Sequence, residues 1–238
     1  MNLAFFFDLQ YLLYVGPFLL LAMFASWRVK STFLKFSNVG VRSGMTGAQA
    51  AAAVARAGGA EVTIERHQGF LSDHYDPTTR TLRLSPEVYD GRSVASIAVA
   101  AHEAGHAIQD AKAYAWLGIR SQLVPVAKIG SMSWVWMFMI GMILSTQAGK
   151  GGSPIGTFLI DGGILLFGAT VLFQLVTLPV EFDASNRAKA VLAQTGIVSN
   201  QEEADGVSKV LGAAAMTYVA AALTAIATLL YLLSRRRD

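Results

Sequence analysis

The chain contains no cysteine and few charged side chains. Its 238 residues include no Cys, and Asp, Glu, Lys and Arg together make up 15% of them. Disulfide bonds and thiolate metal ligands are therefore excluded, although the redox compartment stays open. The basic residues do not alternate with aromatic ones, as they would on a surface that binds single-stranded nucleic acid, so we expect no nucleic-acid partner.

Four long apolar runs take up much of the sequence instead. Hydrophobic residues make up 53% of the chain, more than an ordinary soluble domain carries. The runs cover residues 3–26, 122–145, 155–180 and 213–233, and about 20 apolar residues are enough to cross a bilayer as a helix. No basic segment precedes the first run and no small-residue cleavage site follows it, which favours a retained anchor over a removed signal peptide. The sequence predicts a multi-pass protein of the cell membrane.

Between the first two runs, the pattern changes to that of a small soluble α+β unit. A capping box at residues 46–49 opens an alanine-rich helix, and residues 61–65 alternate as a strand. Residues 69–85 predict a β-hairpin with a proline-containing turn. A longer helix is expected from residue 92 or 93 to about residue 113.

This longer helix carries the sequence His102-Glu103-Ala104-Gly105-His106, an H-E-x-x-H motif. Residues four apart on an α-helix share one face, so His102 and His106 can bind one Zn²⁺ per chain. Glu103 lies beside them, where it can take a proton from a water activated by the metal. We predict His102 and His106 as zinc ligands and Glu103 as the general base; the alternative is two surface histidines that share this spacing by coincidence.

A third, anionic ligand would complete a catalytic zinc site with one open position, and two carboxylates compete for the role. Asp161 lies near the start of the third apolar run and Glu181 at its end, 20 residues later. This separation is about 30 Å along a helix, so the two lie at opposite membrane faces. The soluble unit enters the second run at Gln122, and the third run returns to that face at Glu181. The topology favours Glu181.

Asp161 remains an alternative because its surroundings resemble the Leu-Asp-Gly signature of site-2-type intramembrane proteases. Those proteases tend to have the H-E-x-x-H motif within a membrane helix and a companion Asn/Pro signature. Here the motif helix is expected to end well before the second apolar run, and the companion signature is absent.

The whole chain resembles the YugP-type family of membrane-bound neutral zinc metallopeptidases. The resemblance is carried by residues 71–77, 81–85, 102–109 and 180–185, together with the order of the apolar runs. It implies a peptidase with the gluzincin arrangement, in which Glu181 on a later helix is the third ligand. The predicted fold is a mostly α membrane protein. Four transmembrane helices carry a small α+β zincin-like metallopeptidase unit inserted between the first and second.

The predicted boundaries divide the chain into five parts. These are the first transmembrane helix (1–27), the soluble α+β unit with the motif helix (28–121), the second and third transmembrane helices (122–180), the third-ligand helix and a connecting helix (181–212), and the fourth transmembrane helix with a basic tail (213–238).

Residues 181–185 more distantly resemble the Glu-x-x-x-Asp ligand helix of the heat-shock and prenyl-protein membrane proteases. In those proteins the aspartate supports a zinc-binding histidine, whereas this sequence has Ser185 at that place. Asp110 or Asp183 is therefore predicted to orient a histidine instead.

Two further side chains and one strand are candidates for contacts with substrate. Tyr218 and His74 could stabilise an oxyanion, or they could be an interfacial aromatic residue and a surface residue of the hairpin. A candidate edge strand that holds the substrate backbone, or else an ordinary sheet strand, consists of Thr81, Leu82, Arg83, Leu84 and Ser85.

Three functions fit these features. The first is a zinc endopeptidase that cuts membrane or membrane-adjacent proteins, with a peptide or membrane-protein substrate and the lipid bilayer as partners. The second is a non-catalytic membrane scaffold or chaperone-like subunit with a retained metal site, which would not need Glu103. The third is an intramembrane protease that uses Asp161. Other membrane proteins or a second copy of the chain are further candidate partners.

The distribution of basic residues predicts the orientation. Arg28, Lys30, Lys35 and Arg42 follow the first apolar run, which by the positive-inside rule places the soluble unit in the cytoplasm. The arginines at 235–237 favour the opposite orientation. The basic residues at 187 and 189 after the third run, against one at 150 before it, agree with the first run, and we expect a cytoplasmic catalytic unit because more of the runs favour it.

Overall fold

The computed structural model describes residues 9–148 and 153–237, which are mostly helical with one small sheet. Its elements are α1 (Leu9–Ser37), α2 (Gly47–Ala57), β1 (Thr63–Arg66), β2 (His74–Asp76), β3 (Thr81–Leu84), α3 (Pro86–Tyr89), α4 (Val94–Ala111), α5 (Ala115–Gln147), α6 (Pro154–Gln194) and α7 (Gln201–Arg237). The start of the predicted run 3–26, part of the loop between the second and third runs, and the last residue of the basic tail lie outside the described residues.

Four helices, α1, α5, α6 and α7, are each long and apolar enough to cross a membrane. This confirms the prediction of four such helices. Each extends beyond its apolar run, and α6 continues through Pro179 to Gln194 without a break. Proline removes one backbone hydrogen bond from a helix, but the following turn, which includes Glu181, stays helical.

The chain divides into two compact units. The described residues of unit 1 are 9–23, 119–148, 153–177 and 219–237, and unit 2 consists of residues Phe24–Gly118 and Leu178–Tyr218. The core of unit 1 includes Val15, Phe138 and Tyr231, all buried. The ring of Tyr231 packs edge-on against that of Tyr11, with centroids 5.2 Å apart.

Unit 2 is built around α4, which is buried along most of its length. Val54 of α2, Leu82 and Leu84 of β3, and Ile97 of α4 are fully buried in its core. The predicted capping box before α2 is confirmed. The Thr46 hydroxyl oxygen accepts a hydrogen bond from the Gln49 N–H, and the Gln49 side-chain oxygen accepts one from the Thr46 N–H.

The sheet has the order β1-β3-β2, with β1 parallel and β2 antiparallel to β3. The predicted hairpin is therefore present as β2 and β3. The prediction that the stretch from Thr81 to Ser85 forms an edge strand is wrong: Thr81–Leu84 is the central strand, and Ser85 is the N-cap of α3. The alternation of Leu82 and Leu84 is also compatible with an edge strand. However, β1 pairs with the side of β3 that faces away from β2, so β3 has no free edge. The edge strands are β1 and β2.

Candidate metal centre

The H-E-x-x-H motif lies in the interior of unit 2. Ser93 caps α4 by accepting a hydrogen bond from the Ser96 N–H at 3.1 Å. His102, Glu103 and His106 are only 9%, 8% and 7% exposed. Two surface histidines that share this spacing by coincidence would be far more exposed, so that alternative does not describe this helix.

Glu181 of α6 faces both histidines of α4. Its Oε2 atom lies 3.2 Å from the Nε2 atom of His102 and 3.5 Å from that of His106. Ligand atoms of the three residues lie within 4.8 Å of one another. Two imidazole nitrogens and one carboxylate oxygen form the donor set of catalytic zinc sites, with a fourth position left for water or substrate. The residues present therefore fit one Zn²⁺.

A close approach of two helices makes this convergence feasible. A Cβ atom at Gly105 would overlap the main-chain carbonyl oxygen of Ala184. Gly105 lies between the two histidines in sequence, and Ala184 lies one turn after Glu181 on α6. Only glycine at position 105 lets α4 and α6 come close enough for ligands from both helices to meet.

Both histidines are oriented through their second ring nitrogen. The Nδ1 atom of His102 lies 3.1 Å from the Ser185 hydroxyl oxygen, and that of His106 lies 3.0 Å from the Gln109 side-chain oxygen. When Nδ1–H donates to these oxygens, the lone pair of each Nε2 is free to bind a metal. The Gln109 oxygen can only accept and therefore selects this tautomer of His106, and the Ser185 hydroxyl is able to accept from the same tautomer of His102.

Gln109 connects the two ligand-bearing helices. It is fully buried, and its amide nitrogen donates at 2.8 Å to the Val180 carbonyl oxygen and at 2.8 Å to a carboxylate oxygen of Asp183. Because both amide hydrogens are used in this way, the amide oxygen must face His106. Arg187 also donates to Asp183, at 2.5 Å. Gln109 thus positions His106 and holds α6 against α4.

The acidic residues predicted to orient a histidine lie elsewhere in this network. Asp183 contacts Gln109 rather than an imidazole, and Asp110 accepts a hydrogen bond from the Tyr75 hydroxyl at 2.8 Å. Sequence reasoning missed Ser185 and Gln109 as the direct partners. The signals were present: Ser185 occupies the aspartate place of the related ligand helix, and Gln109 lies three residues after His106, on the same helix face.

Glu103 is not part of the ligand group and faces a cavity of about 370 Å³. Burial raises the pKa of its carboxyl group to about 7, although a backbone hydrogen bond from Tyr75 opposes this shift. His102, Asp73 and Tyr218 also line the cavity. Asp73 fixes the loop before β2 by accepting hydrogen bonds from the N–H and the hydroxyl of Ser85, at 2.7 and 3.2 Å.

His74 and Asp161 lie outside this cavity and outside the ligand group. His74 is exposed in β2, with its Nδ1 atom 2.8 Å from the main-chain oxygen of Ser72. Asp161 belongs to unit 1, where one of its carboxylate oxygens lies 2.5 Å from Nε of Arg236. Within residues 9–148 and 153–237, the group able to hold a metal contains Glu181 and not Asp161.

Comparisons with known proteins match the chain to a family of zinc metallopeptidases. A family model described as "Putative neutral zinc metallopeptidase" matches residues 11–237. The chain is 46% identical over 211 residues to "Putative membrane protease YugP" of Bacillus subtilis (strain 168), across 88% of this chain and 89% of that protein. No solved structure was found to match the chain.

Proposed function

The chain belongs to this family of zinc metallopeptidases, and we propose that it is a membrane-anchored zinc endopeptidase that hydrolyses peptide bonds of membrane or membrane-adjacent proteins. The observation that carries the proposal is the convergence of His102, His106 and Glu181 beside a buried carboxyl group, Glu103, that is not a ligand. A site that only binds metal has no use for this fourth residue.

His102, His106 and Glu181 would hold the zinc ion. When bound, zinc supplies Lewis acidity that polarises a peptide carbonyl and lowers the pKa of a water molecule. Ser185 and Gln109 keep the histidine Nε2 lone pairs directed at the site. The single carboxylate and two neutral imidazoles leave the ligand set with a charge of only −1, so the Lewis acidity is weakly quenched.

Glu103 is proposed as the general base and then the general acid. Its carboxylate faces the cavity, where it accepts the proton of the water that attacks the carbonyl carbon. The same carboxyl group then donates that proton to the leaving amine nitrogen as the C–N bond breaks. Because Glu103 follows His102 directly, its carboxyl group lies beside the reacting atoms.

The proposed site for the substrate backbone is β2 rather than β3. β2 is an edge strand, and the main-chain N–H of its Tyr75 points to Glu103. An extended peptide that adds to an exposed sheet edge gains main-chain hydrogen bonds irrespective of its sequence. A peptide on β2 would pass directly over the catalytic carboxyl group.

The proposed cellular setting is a membrane with the catalytic unit on its cytoplasmic side. Four apolar helices support the bilayer as a partner. The basic residues at 28, 30, 35 and 42 support the cytoplasmic orientation through the positive-inside rule.

The test of this function combines metal analysis with turnover. Protein purified in detergent should contain one zinc per chain and should cleave an unfolded protein such as casein. Glu103→Gln should retain zinc and lose cleavage, whereas His102→Ala should lose both. Glu202→Gln, the same change at an exposed position of α7, is the matched control and should retain both. Full turnover by Glu103→Gln would refute the proposed role of Glu103.

A further inference from the structure

Two cavities of unit 2 lie along the same face of α4 and differ in chemical character. The first is the cavity of about 370 Å³ that contains His102 and Glu103. Most of its wall is apolar and comes from α1, α4, α7 and the loop before β2. The apolar side chains include Val29, Phe33, Leu71, Val99, Val210 and Leu211. We call it the apolar cavity.

The second cavity, of about 340 Å³, is lined by charged and polar side chains. Glu61, Arg80 and Asp110 contribute the charges, and Tyr75 of β2 donates its hydroxyl hydrogen to Asp110 at 2.8 Å. The remaining lining residues are Gly59, Ala60, Ala107 and Ala111. We call it the polar cavity.

The spacing of the two cavities matches the length of a short extended peptide. α4 lines the apolar cavity with residues 99–103 and the polar cavity with residues 107–111. The midpoints of these segments are about 12 Å apart along a helix, and an extended peptide covers that distance with about four residues. Glu103 lies between the two midpoints. A peptide cut beside Glu103 can therefore place one flank in each cavity.

β2 provides a second connection between the cavities. The main-chain N–H of Tyr75 points to Glu103, while the side chain of the same residue lines the polar cavity. Asp73, two residues earlier, lines the apolar cavity. The strand that we propose for the substrate backbone thus runs from one cavity towards the other.

We propose that the site selects peptide segments in which apolar side chains on one side of the scissile bond give way to polar or charged side chains on the other. This inference rests on the proposed peptidase function and names its substrate class. Apolar side chains gain free energy by leaving water for the apolar cavity. In the polar cavity, apolar side chains would remove water from Glu61, Arg80 and Asp110 and would offer these residues no hydrogen bonds in exchange.

A segment of this composition occurs where a polypeptide leaves the bilayer. The wall of the apolar cavity includes Phe33 of α1 and Leu211 of α7, and both helices are candidate membrane spans. The substrate is therefore the boundary between a membrane-embedded segment and its polar continuation, rather than the middle of either.

The test uses four quenched-fluorescent peptides of equal length with the same central residue pair. One is apolar then polar, one is polar then apolar, one is apolar throughout, and one is polar throughout. With zinc-loaded protein in detergent, one of the two mixed peptides should have a kcat/KM at least about tenfold higher than both uniform peptides, the lower end of what one apolar pocket contact discriminates. Mass spectrometry should place the cut within two residues of the boundary.

Filling the apolar cavity tests the assignment of each flank. Ala214 lines this cavity, whereas Gly212, two residues earlier on α7, is exposed and has no atom within 4 Å of the position of a Cβ. Ala214→Phe should lower kcat/KM for the preferred mixed peptide by about tenfold and leave the zinc content unchanged. It should have little effect on the peptide that is polar throughout. Gly212→Phe adds the same side chain outside the cavity and should leave all rates unchanged.

The outcomes separate this inference from the proposed function. Equal cleavage of all four peptides by the wild type, with none by Glu103→Gln, would overturn the inference and leave the peptidase function standing. If the wild type cleaves none of the four, the inference is also wrong, and cleavage of casein then decides the proposed function. Equal effects of Ala214→Phe and Gly212→Phe would refute the assignment of the apolar flank.

Discussion

Replacing Gln109 with methionine should weaken zinc binding although Gln109 is not a ligand. Methionine has nearly the same length, but it cannot accept the hydrogen bond from His106 or donate to Val180 and Asp183. His106 is then free to rotate or to adopt the other tautomer, and the bridge between α4 and α6 is lost.

The size of the effect follows from the contacts that are removed. Loss of a hydrogen-bond partner of a zinc-binding histidine typically weakens metal affinity by about 10–100-fold, which is about 1.4–2.7 kcal/mol. This range agrees with the free-energy cost of leaving the imidazole N–H buried without a hydrogen-bond partner, about 1–3 kcal/mol. Asp183 retains Arg187 as a partner, so its carboxylate adds little. We expect a zinc dissociation constant about 10–100 times that of the wild type.

The assay is competition for zinc with a chelator of known affinity, in detergent and at constant pH. Asp110→Asn is the control, because Asp110 was one of the two sequence-based candidates for orienting a histidine and binds Tyr75 instead. Its zinc affinity should match that of the wild type. Unchanged affinity in Gln109→Met, together with weaker binding in Asp110→Asn, would refute the assignment of Gln109 as the positioning residue.

Two further predictions concern helix packing and orientation. Gly105→Ala should push α6 away from α4 and lower the free energy of unfolding by about 1–3 kcal/mol, with loss of zinc, whereas Gly118→Ala, where a Cβ meets nothing within 4 Å, should do neither. Thermal unfolding with and without zinc measures both, and equal behaviour of the two variants would contradict the close approach. Because the chain has no other cysteine, Thr78→Cys should resist an impermeant thiol reagent in intact cells and react after lysis. Labelling in intact cells would contradict the proposed cytoplasmic orientation.

Local patterns in the sequence were enough to predict several elements. The capping box at Thr46, the hairpin around Pro77 and the start of α4 near Ser93 each depend on residues a few positions apart. The four apolar helices follow from length and composition alone. Glu181 could be proposed as a ligand because a helix that crosses a bilayer has one end at each membrane face. Of the two ends of the third run, the topology places the one with Glu181 at the face of the soluble unit.

Non-local contacts could not be predicted in the same way. β3 is central because β1, whose residues precede their partners by 18 positions, pairs with it in parallel, and no alternation within residues 81–85 reveals this. Ser185 of α6 reaches His102, and Gln109 of α4 reaches Val180 and Asp183, because α4 and α6 pack with these faces together. This packing includes the close approach of Ala184 to Gly105, which a pattern within one helix does not encode.

The central claim is that Glu181 completes the metal site, and zinc titration of two single variants tests it most directly. Glu181→Ala removes the carboxylate that lies 3.2 and 3.5 Å from the two histidine nitrogens, so affinity should fall by about 10–100-fold or more, the loss of a ligand exceeding that of a supporting residue. Asp161→Ala removes a carboxylate that pairs with Arg236 and should leave zinc affinity at the wild-type value. Loss of zinc from Asp161→Ala, with retention by Glu181→Ala, would contradict this account and favour an intramembrane site.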